Sequence, residues 1–366
     1  MCGDVMTGRG IDQILPHASD PAIHEPFLES ALGYVELAER AHGPIPRPAD
    51  FSYIWGDALQ ELRRAAPDVN LINLETSVTR SNDYEAKGIN YRMDPANIPC
   101  LTAAGIDCCA LANNHVLDWG RAGLKETLLT LKKAGLASCG AGANFCFASA
   151  PAIIKPSKGR VLVFSIGSVT SGIPPGWAAT GDRPGVNLLL DFPTSQEKIA
   201  ALKKKIAKMK REGDIVIASV HWGGNWGYDV RAGMRRFAHR LIDGAGVDMI
   251  HGHSSHHPKG IEVHSGKLIL YGCGDFINDY EGISGYEKFR GELGLMYFAV
   301  VDLRDGKLLS LRMTPTVIRR FRVNMASPSD ALWLRDTLDR ESGRFGASVR
   351  LGADGRLELE WRGRYF

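Results

Sequence analysis

Acidic, amide and imidazole side chains recur in this sequence directly after short apolar runs, at the points where buried strands would end. Asp4 follows only three residues, Glu75 ends the run INLE, and His221 ends the run IVIASVH. The set is completed by Asn113, Asn114, His115, Asp118, His253, His256, His257 and Asp275. Carboxylate, amide and imidazole groups bind borderline divalent ions such as Mn²⁺, Zn²⁺ or Fe²⁺. The pattern therefore predicts a divalent metal ion as the cofactor, with no cysteine among its ligands.

The elements that must position these groups are predicted from apolar patterning. Near-continuous apolar runs, typical of strands buried on both faces, cover Val69–Glu75, Asp107–Asn113, Arg160–Gly167, Asp214–Trp222, Val247–His253 and Lys267–Gly274. Amphipathic stretches between them predict helices over Leu124–Ala134, Glu197–Arg211 and Arg231–Asp243. Alternating strands and helices indicate the α/β class, in which ligands bind at the carboxyl ends of the strands.

Two long loops interrupt this alternation, over residues 168–187 and 279–294. The first is rich in Gly and Pro and carries Trp177. The second is polar and carries Tyr280 and Tyr286. Loops of this length either cover a site or are plain surface insertions. If they cover the site, their aromatic side chains would pack on a sugar or a peptide.

The remainder of the chain predicts further strands after Leu295, a helix near Ala331–Arg340 and a hairpin over Val349–Trp361. The sequence has no internal repeat, low-complexity tract or clear linker. We therefore predict a single domain over residues 1–366, with the motifs in 1–280 and a C-terminal extension, 295–366, of unassigned role.

Composition restricts the partners and the compartment. Lys plus Arg is 44 and Asp plus Glu is 41, and the net charge of +3 is too small to indicate nucleic-acid binding. The seven cysteines form no CxxC pair, and Cys108 and Cys109 lie in an apolar run, so we expect reduced thiols and a cytoplasmic protein. The sequence predicts neither a membrane span nor a leader. Only three residues precede Asp4, so we expect either that an upstream segment is missing from this sequence or that the first strand is short.

Five motifs occur in order along the chain: GDVMTGR, INLETSVT, LANNHVLDWG, SVHWG and GVDMIHGHSSH. Together they resemble the CapA-type family, named for bacterial poly-γ-glutamate capsule biosynthesis, from Cys2 to about Tyr280. That family belongs to the calcineurin-like metallophosphatase superfamily. The resemblance implies a four-layer α/β/β/α sandwich of the metallophosphatase type, with a metal site on one sheet edge.

The resemblance also implies roles for individual side chains. The implied metal ligands are Asp4, Glu75 as the bridging acid, Asn114, His221, His253 and His256. His115 would act as the general acid or base, oriented by Asp118 or by a backbone group. Arg9, on the glycine loop after the first strand, would either bind an anionic group of the substrate or be an ordinary surface arginine.

Three departures from the superfamily pattern leave alternatives open. Met6 stands where the phosphatases usually carry a histidine ligand, so one ion, or two of unequal affinity, would fit. The last motif is one residue longer than the compact phosphatase form, which makes His251 and His257 rivals of His256 as ligands. Asp275 stands where the family more often has an amide, and it adds negative charge to the site.

Three functions would use such a site differently. The first, which we favour, is a metal-dependent hydrolase that cleaves a phosphoester or a peptide or γ-glutamyl amide, with His115 protonating the leaving group. The second is metal-assisted epimerisation at a peptide Cα, with His115 and one of Asp4, His256 or His257 exchanging protons. The third is a non-catalytic component that binds polymer in a capsule synthesis complex. The expected partner is an anionic polymer, a peptide or a phosphoester.

Overall fold

The computed structural model describes residues 1–192 and 195–362. It shows a mixed α/β fold with several sheets, which confirms the predicted class. In the first half of the chain the strands are β1 (Asp4–Val5), β2 (Leu71–Leu74), β3 (Ser77–Val78), β4 (Arg92–Met93), β5 (Cys108–Ala110), β6 (Ala137–Cys139), β7 (Ala141–Gly142), β8 (Ala152–Ile154), β9 (Arg160–Ser168), β10 (Gly185–Val186) and β11 (Leu188–Leu189). In the second half they are β12 (Asp214–His221), β13 (Met249–His253), β14 (Ile261–His264), β15 (Lys267–Leu270), β16 (Asp275–Ile277), β17 (Leu293–Val301), β18 (Leu308–Arg319), β19 (Arg322–Met325), β20 (Ala347–Leu351) and β21 (Leu357–Trp361).

The α-helices of the described residues are α1 (Gly10–Ile14), α2 (Leu32–His42), α3 (Ala58–Ala65), α4 (Pro99–Thr102), α5 (Gly120–Lys133), α6 (Phe145–Ala148), α7 (Gln196–Met209), α8 (Ala232–Ala245) and α9 (Pro328–Gly343). None of them is long and apolar enough to cross a membrane. The predicted helices within α5, α7, α8 and α9 are confirmed, although α5 begins four residues before the predicted Leu124.

The first sheet is parallel, with the order β16–β1–β2–β5–β6. The short β1 lies in its middle, and Asp4 pairs with Asn73 on one side and with Asp275 on the other. Gly3 permits this close approach, because a Cβ there would lie 1.6 Å from the carbonyl oxygen of Gly274. The sheet therefore aligns three polar side chains from distant parts of the sequence.

The second sheet has the order β11–β9–β12–β13–β15–β14, with β8 added antiparallel to β9. The strands from β11 to β15 run parallel, so the ends of β12 and β13 meet, and His221 pairs with His253. Between the histidines of β13, Gly252 passes so near β15 that a Cβ would lie 2.4 Å from the carbonyl oxygen of Leu270.

Three hydrophobic clusters hold these layers together. Ile72 and Cys109 of the first sheet face one cluster that includes residues of α2 and α5, whereas their neighbours Leu71 and Cys108 face another. That second cluster also contains Val163 and other inward residues of the second sheet. The outer face of the second sheet packs on α7 and α8 in the third cluster. The alternation along each strand thus explains why these runs are apolar at nearly every position.

The C-terminal residues form an antiparallel sheet in the order β17–β18–β21–β20, with β19 beside β18. Its apolar residues share the second cluster with the two other sheets, and α9 contributes Leu334 and Leu338. The predicted hairpin over Val349–Trp361 is confirmed by β20 and β21. Residues 363–366 of the predicted C-terminal extension lie outside the described residues.

One predicted strand is partly wrong. The run Lys267–Gly274 forms a strand only as far as Leu270, and the chain then leaves the second sheet. It turns at Gly274, whose φ is +77°, and Asp275 begins β16 in the first sheet. A single apolar run therefore supplies both sheets, and it brings Asp275 beside Asp4.

Candidate metal centre

The first part of the site is a pair of carboxylates joined by an amide. Nδ2 of Asn73 donates to Oδ1 of Asp4 at 2.8 Å and to Oε2 of Glu75 at 3.0 Å. Nδ2 of Asn113 donates in turn to Oδ1 of Asn73 at 3.0 Å. All four side chains are buried. Asn73 was absent from the predicted set, although its position two residues before Glu75 places both on one face of the chain.

The second part is a pair of histidines at adjacent strand ends. Nδ1 of His221 lies 2.7 Å from Nδ1 of His253, and both side chains are fully buried. Nε2 of His253 lies 2.8 Å from the hydroxyl of Ser219, and Nε2 of His221 lies 2.7 Å from Oδ1 of Asn114. Burial lowers the pKa of both imidazoles well below its usual value, so both rings are neutral and keep lone pairs for a cation.

The third part is formed by His256 and Asp275, whose Nδ1 and Oδ1 atoms lie 2.9 Å apart. Nδ2 of Asn278 donates to the other carboxylate oxygen of Asp275 at 2.8 Å. Burial opposes protonation of His256, but the carboxylates of Asp275 and Asp4 outweigh it and raise the pKa of that imidazole. The structure therefore joins Asp275, a departure from the family pattern, directly to a predicted ligand.

A strained turn connects the second and third parts. Ser254 has φ of +99°, which is unusual for a residue with a side chain. Its backbone N–H donates to Oδ2 of Asp4 at 3.2 Å. The turn thus directs a donor at one predicted ligand and carries the chain from His253 to His256.

Asp4 belongs to two groups of potential ligands. The ligand atoms of Asp4, His221 and His253 all lie within 4.8 Å of one another, and those of Asp4, His256 and Asp275 do so as well. Glu75 and Asn114 lie at the edge of the first group, since Oε1 of Glu75 is 3.8 Å from Nε2 of His221. The predicted ligands are therefore brought together, with Asp4, rather than the predicted bridging Glu75, common to both groups.

The electrostatics of this cluster fit a divalent cation. Burial, and next the neighbouring Asp275, raise the pKa of Asp4 to about 7. Burial, followed by Asp4 and Asp275, raises the pKa of Glu75 well above its usual value. Three carboxylates thus face one another in a region from which water is excluded, and a divalent ion would compensate their charge.

His115 lies beside the cluster and is held by Asp118. Nδ1 of His115 is 2.7 Å from Oδ2 of Asp118, and Nε2 is 3.8 Å from Oε1 of Glu75. The same Asp118 oxygen accepts the backbone N–H of Tyr91 at 2.7 Å, and its partner oxygen lies 2.6 Å from Nζ of Lys87. Burial lowers the pKa of His115 to about 4. The neutral ring therefore donates from Nδ1 and directs the lone pair of Nε2 toward Glu75.

Lys87 was not predicted, since nothing in its surroundings in the sequence marks it. Besides Asp118, its ammonium contacts the backbone oxygen of Asn114 and lies 5.2 Å from the ring centre of Trp177. It therefore joins the 168–187 loop to the residues around His115.

Arg9 is buried, so it is not an ordinary surface arginine, and its guanidinium is bound by carboxylates of the protein. Its Nε and Nη2 donate to the two oxygens of Asp279 at 3.1 and 2.5 Å, and Nη1 donates to Glu25 at 2.9 Å. The guanidinium lies over the rings of Tyr34 and Tyr91. Protein carboxylates thus stand where a substrate anion was expected, and direct contact of Arg9 with a substrate stays a prediction.

The two rival histidines face away from the ligand groups. Nε2 of His251 lies 2.7 Å from the backbone oxygen of Cys2, and its Nδ1 is 3.0 Å from Ser219. Nε2 of His257 accepts the backbone N–H of Gly227 at 3.1 Å, and its ring stacks on Phe289. Both rings are thus occupied by structural contacts, so of the three alternatives His251, His256 and His257 it is His256 that lies in a ligand group with Asp4.

The loop 279–294 supplies two tyrosines to the surroundings of the site, in addition to Trp177 of the loop 168–187 near Lys87. The hydroxyl of Tyr280 is 2.8 Å from that of Tyr91, and it lies 3.6 Å from the sulfur of Met6. Tyr286, half-exposed, stacks on Trp226 with ring centres 4.2 Å apart, and Trp226 lies 5.3 Å from the ring of His256. An aromatic wall therefore begins next to the candidate metal centre and reaches solvent.

The sequence of this chain matches that of a known protein family. Residues 1–280 match the sequence model of the family described as bacterial capsule synthesis protein PGA_cap. The chain therefore belongs to this family, and the predicted resemblance to the CapA-type proteins is confirmed.

Individual relatives agree with this assignment. A protein of Mycobacterium tuberculosis (strain H37Rv), named "Probable polyglutamine synthesis accessory protein", is 50% identical over 359 residues, which are 98% of this chain and 94% of that protein. The PGA biosynthesis protein CapA of Bacillus subtilis is 28% identical over 279 residues, 76% of this chain and 62% of that protein. The capsule biosynthesis protein CapA of Bacillus anthracis is 29% identical over 233 residues, 64% of this chain and 53% of that protein.

Proposed function

We propose that this member of the capsule synthesis family is a metal-dependent hydrolase. The observation that carries the proposal is that Asp4 is shared by two groups of imidazole and carboxylate ligands, with His115 beside them. His221 and His253 would hold an ion on one side of Asp4, and His256 and Asp275 on the other. Glu75 and Asn114 would complete the coordination through oxygen atoms. Mn²⁺, Zn²⁺ and Fe²⁺ suit this set of oxygen and nitrogen donors.

A divalent cation bound here would polarise a phosphoryl or carbonyl oxygen and lower the pKa of water. The remaining chemistry belongs to the side chains of the protein. Asp118 fixes the ring of His115 through Nδ1, so that Nε2 accepts a proton from the attacking water and returns it to the leaving oxygen or nitrogen. The ammonium of Lys87, 2.6 Å from Oδ1 of Asp118, holds this carboxylate in place.

The proposed substrate class is supported by the names of the relatives and by the aromatic wall of the site. Two relatives are named for capsule or PGA biosynthesis, and a third for polyglutamine synthesis. We propose a phosphoester or a γ-glutamyl amide of an anionic polymer as the substrate, with Trp226 and Tyr286 packing on its uncharged part. The fully buried, free thiols of Cys108 and Cys109 support the proposal of a reducing, cytoplasmic location.

The same proposal includes the finer description of the fold. Two sheets pack face to face, helices cover the outer face of each, and the centre lies where strands of both sheets end. This arrangement supports a four-layer α/β/β/α sandwich of the metallophosphatase type, to which the C-terminal sheet adds its own apolar face.

The proposal is tested by turnover of chromogenic phosphomonoesters and phosphodiesters and of γ-glutamyl oligomers, with each metal supplied in turn. We expect metal-stimulated cleavage of one class, with loss of activity in His115→Ala and retention of metal. Uptake of deuterium at Cα from heavy water without cleavage would instead assign an epimerase. Polymer binding that is unchanged in His115→Ala, with no turnover, would assign a binding component.

A further inference from the structure

A cavity of about 150 Å³ lies outside the metal centre, between the start of α7 and one face of α8. It is lined by Phe192, Ser195, Gly233, Arg236, Phe237 and Arg240. The ring of Phe192 packs on Trp222, the residue after His221, with ring centres 6.3 Å apart. The cavity therefore lies at the same edge of the second sheet as the metal centre, one aromatic layer farther out.

Within the part of the chain that the structure describes, no carboxylate pairs with the two arginines that line this cavity. Arg236 and Arg240 are one turn apart on α8, where like charges repel each other. Both side chains are exposed, and neither forms an ion pair with any residue of 1–192 or 195–362. The neighbouring Arg235, by contrast, is paired with Glu262 at 2.7 Å. Two adjacent guanidinium groups without a carboxylate are suited to an oxyanion.

An unsatisfied hydroxyl lies opposite the two arginines. Ser195 is 1% exposed, and its Oγ has no hydrogen-bond partner among the described residues. It immediately precedes α7, a helix of 14 residues, but its side chain does not cap that helix. A buried hydroxyl without a partner is costly, and its position in the wall of the cavity gives it access to a ligand. The partial positive charge of the helix N-terminus adds to the attraction for an anion.

The shape of the cavity admits a small group. Gly233 lies in the first turn of α8, and a Cβ there would be 3.3 Å from Cβ of Phe192. The glycine therefore lets Phe192 approach the helix closely. The rings of Phe192 and Phe237, 5.7 Å apart, form an apolar wall. One phosphate or carboxylate group would fill the polar side, with the rest of the molecule outside.

We propose that this cavity is a second anion-binding site, which binds one oxyanion group between Arg236, Arg240 and the hydroxyl of Ser195. The oxyanion would be a phosphate or a carboxylate of a γ-linked glutamate polymer. Only the second source rests on the proposed function, because the cavity and its charges do not involve the metal centre.

The test labels arginines of the purified full-length chain with phenylglyoxal and quantifies each site by peptide mass spectrometry. Inorganic phosphate and a γ-linked glutamate tetramer are added in separate series. We expect Arg236 and Arg240 to be protected, whereas the exposed Arg63 and Arg319 are not. Protection by phosphate alone assigns a phosphate ligand, and protection by the tetramer assigns a polymer carboxylate.

Replacement of Ser195 by alanine tests whether its hydroxyl contributes to anion binding. In Ser195→Ala the concentration for half-protection should rise about tenfold, as expected for a lost hydrogen bond to a charged group. Ser342→Ala removes a buried hydroxyl that binds the backbone N–H of Ile261 and does not line the cavity, and it should leave this concentration unchanged. Labelling of Arg236 and Arg240 that neither anion slows, or a half-protection unaffected by Ser195→Ala, would overturn the proposal. Neither readout depends on metal content or turnover, so the hydrolase proposal stands or fails separately.

Discussion

Nδ1 of His221 lies 2.7 Å from Nδ1 of His253, across two adjacent strand ends that are 32 residues apart in sequence. Two neutral imidazoles at this distance share a single proton, because two lone pairs facing each other repel. Ser219 lies 2.8 Å from the far nitrogen of His253, and Oδ1 of Asn114, which can only accept a hydrogen bond, lies 2.7 Å from the far nitrogen of His221. The proposed role of the pair as metal ligands requires that a cation replace the shared proton.

We predict that turnover depends on the orientation of His115 by Asp118. Asp118→Asn should lower turnover about a hundredfold or more, because the amide no longer fixes the Nδ1–H tautomer of His115. Metal content, measured by mass spectrometry, should stay at the wild-type level. Asp214→Asn, in which the altered side chain pairs with Arg160 at the opposite end of β12 from His221, should leave both values unchanged. Wild-type turnover in Asp118→Asn would contradict the proposed role.

We predict that the amide of Asn73, which binds both Asp4 and Glu75, is needed to retain the metal. Asn73→Leu removes the donor common to Asp4 and Glu75, and the two carboxylates then lose their fixed positions. The free energy of unfolding should fall by about 1–3 kcal/mol, and bound metal should be lost. Asn97→Leu is the control, since Asn97 binds Asp12 in the same manner away from the centre. It should lose comparable stability and keep its metal, and loss of metal in both variants would show a general effect of folding.

The contacts of Arg9 predict a structural effect that precedes any kinetic one. Arg9→Met leaves Asp279 and Glu25 buried without their cation, which should lower the free energy of unfolding by about 3–5 kcal/mol. Denaturant titration measures this loss directly. A variant of normal stability whose KM is raised would instead support direct binding of a substrate anion by Arg9.

We predict that the ionised carboxylate of Glu61 makes the stability of the protein depend on pH. Burial acts to raise its pKa, but hydrogen bonds from Arg356 and Arg64 outweigh burial and lower the pKa of this carboxyl below its ordinary value of 4.5. Between the two pKa values the unfolded chain binds more protons than the folded one, so stability falls as the pH falls. The contribution of Glu61 is therefore complete above about pH 4.5 and is lost as the pH falls through the lower, folded-state pKa.

The measurement compares wild type with Glu61→Gln by denaturant titration from pH 7 downward. The variant should be less stable by about 1–3 kcal/mol at pH 7, and the difference should shrink below about pH 4.5. A difference that is constant over this range would mean that packing, and not the charge of Glu61, links α3 to the C-terminal sheet.

The positions of polar residues at predicted strand ends indicated which side chains lie together better than composition did, because strand ends in parallel sheets meet at one edge. His221 and His253 end β12 and β13 as expected, and Asp4 lies in a short first strand. Asn73 and Trp226 escaped prediction for a physical reason. Their roles arise from contacts across the fold, and nothing in their local sequence differs from ordinary strand or loop residues.

Parts of the fold could not be predicted from apolar patterning. The patterns indicate no helix near α3, because the residues that it buries are Ala58 and Glu61, an acid whose partner Arg356 is 295 residues away. The pattern also could not predict that the run Lys267–Gly274 leaves one sheet for the other, because the strands of both sheets are apolar on both faces. Patterning identifies burial, but not the sheet to which a strand belongs.

The most direct test of the central claim is the metal content of protein purified without added metal, measured by mass spectrometry. Wild type should carry about one or two ions of Mn, Fe or Zn per chain. Asp4→Asn and His253→Ala should lose them, while His257→Gln, whose ring binds backbone groups instead, should retain them. A wild-type chain that neither carries nor takes up a divalent ion, or a loss of metal in His257→Gln alone, would contradict the proposed centre.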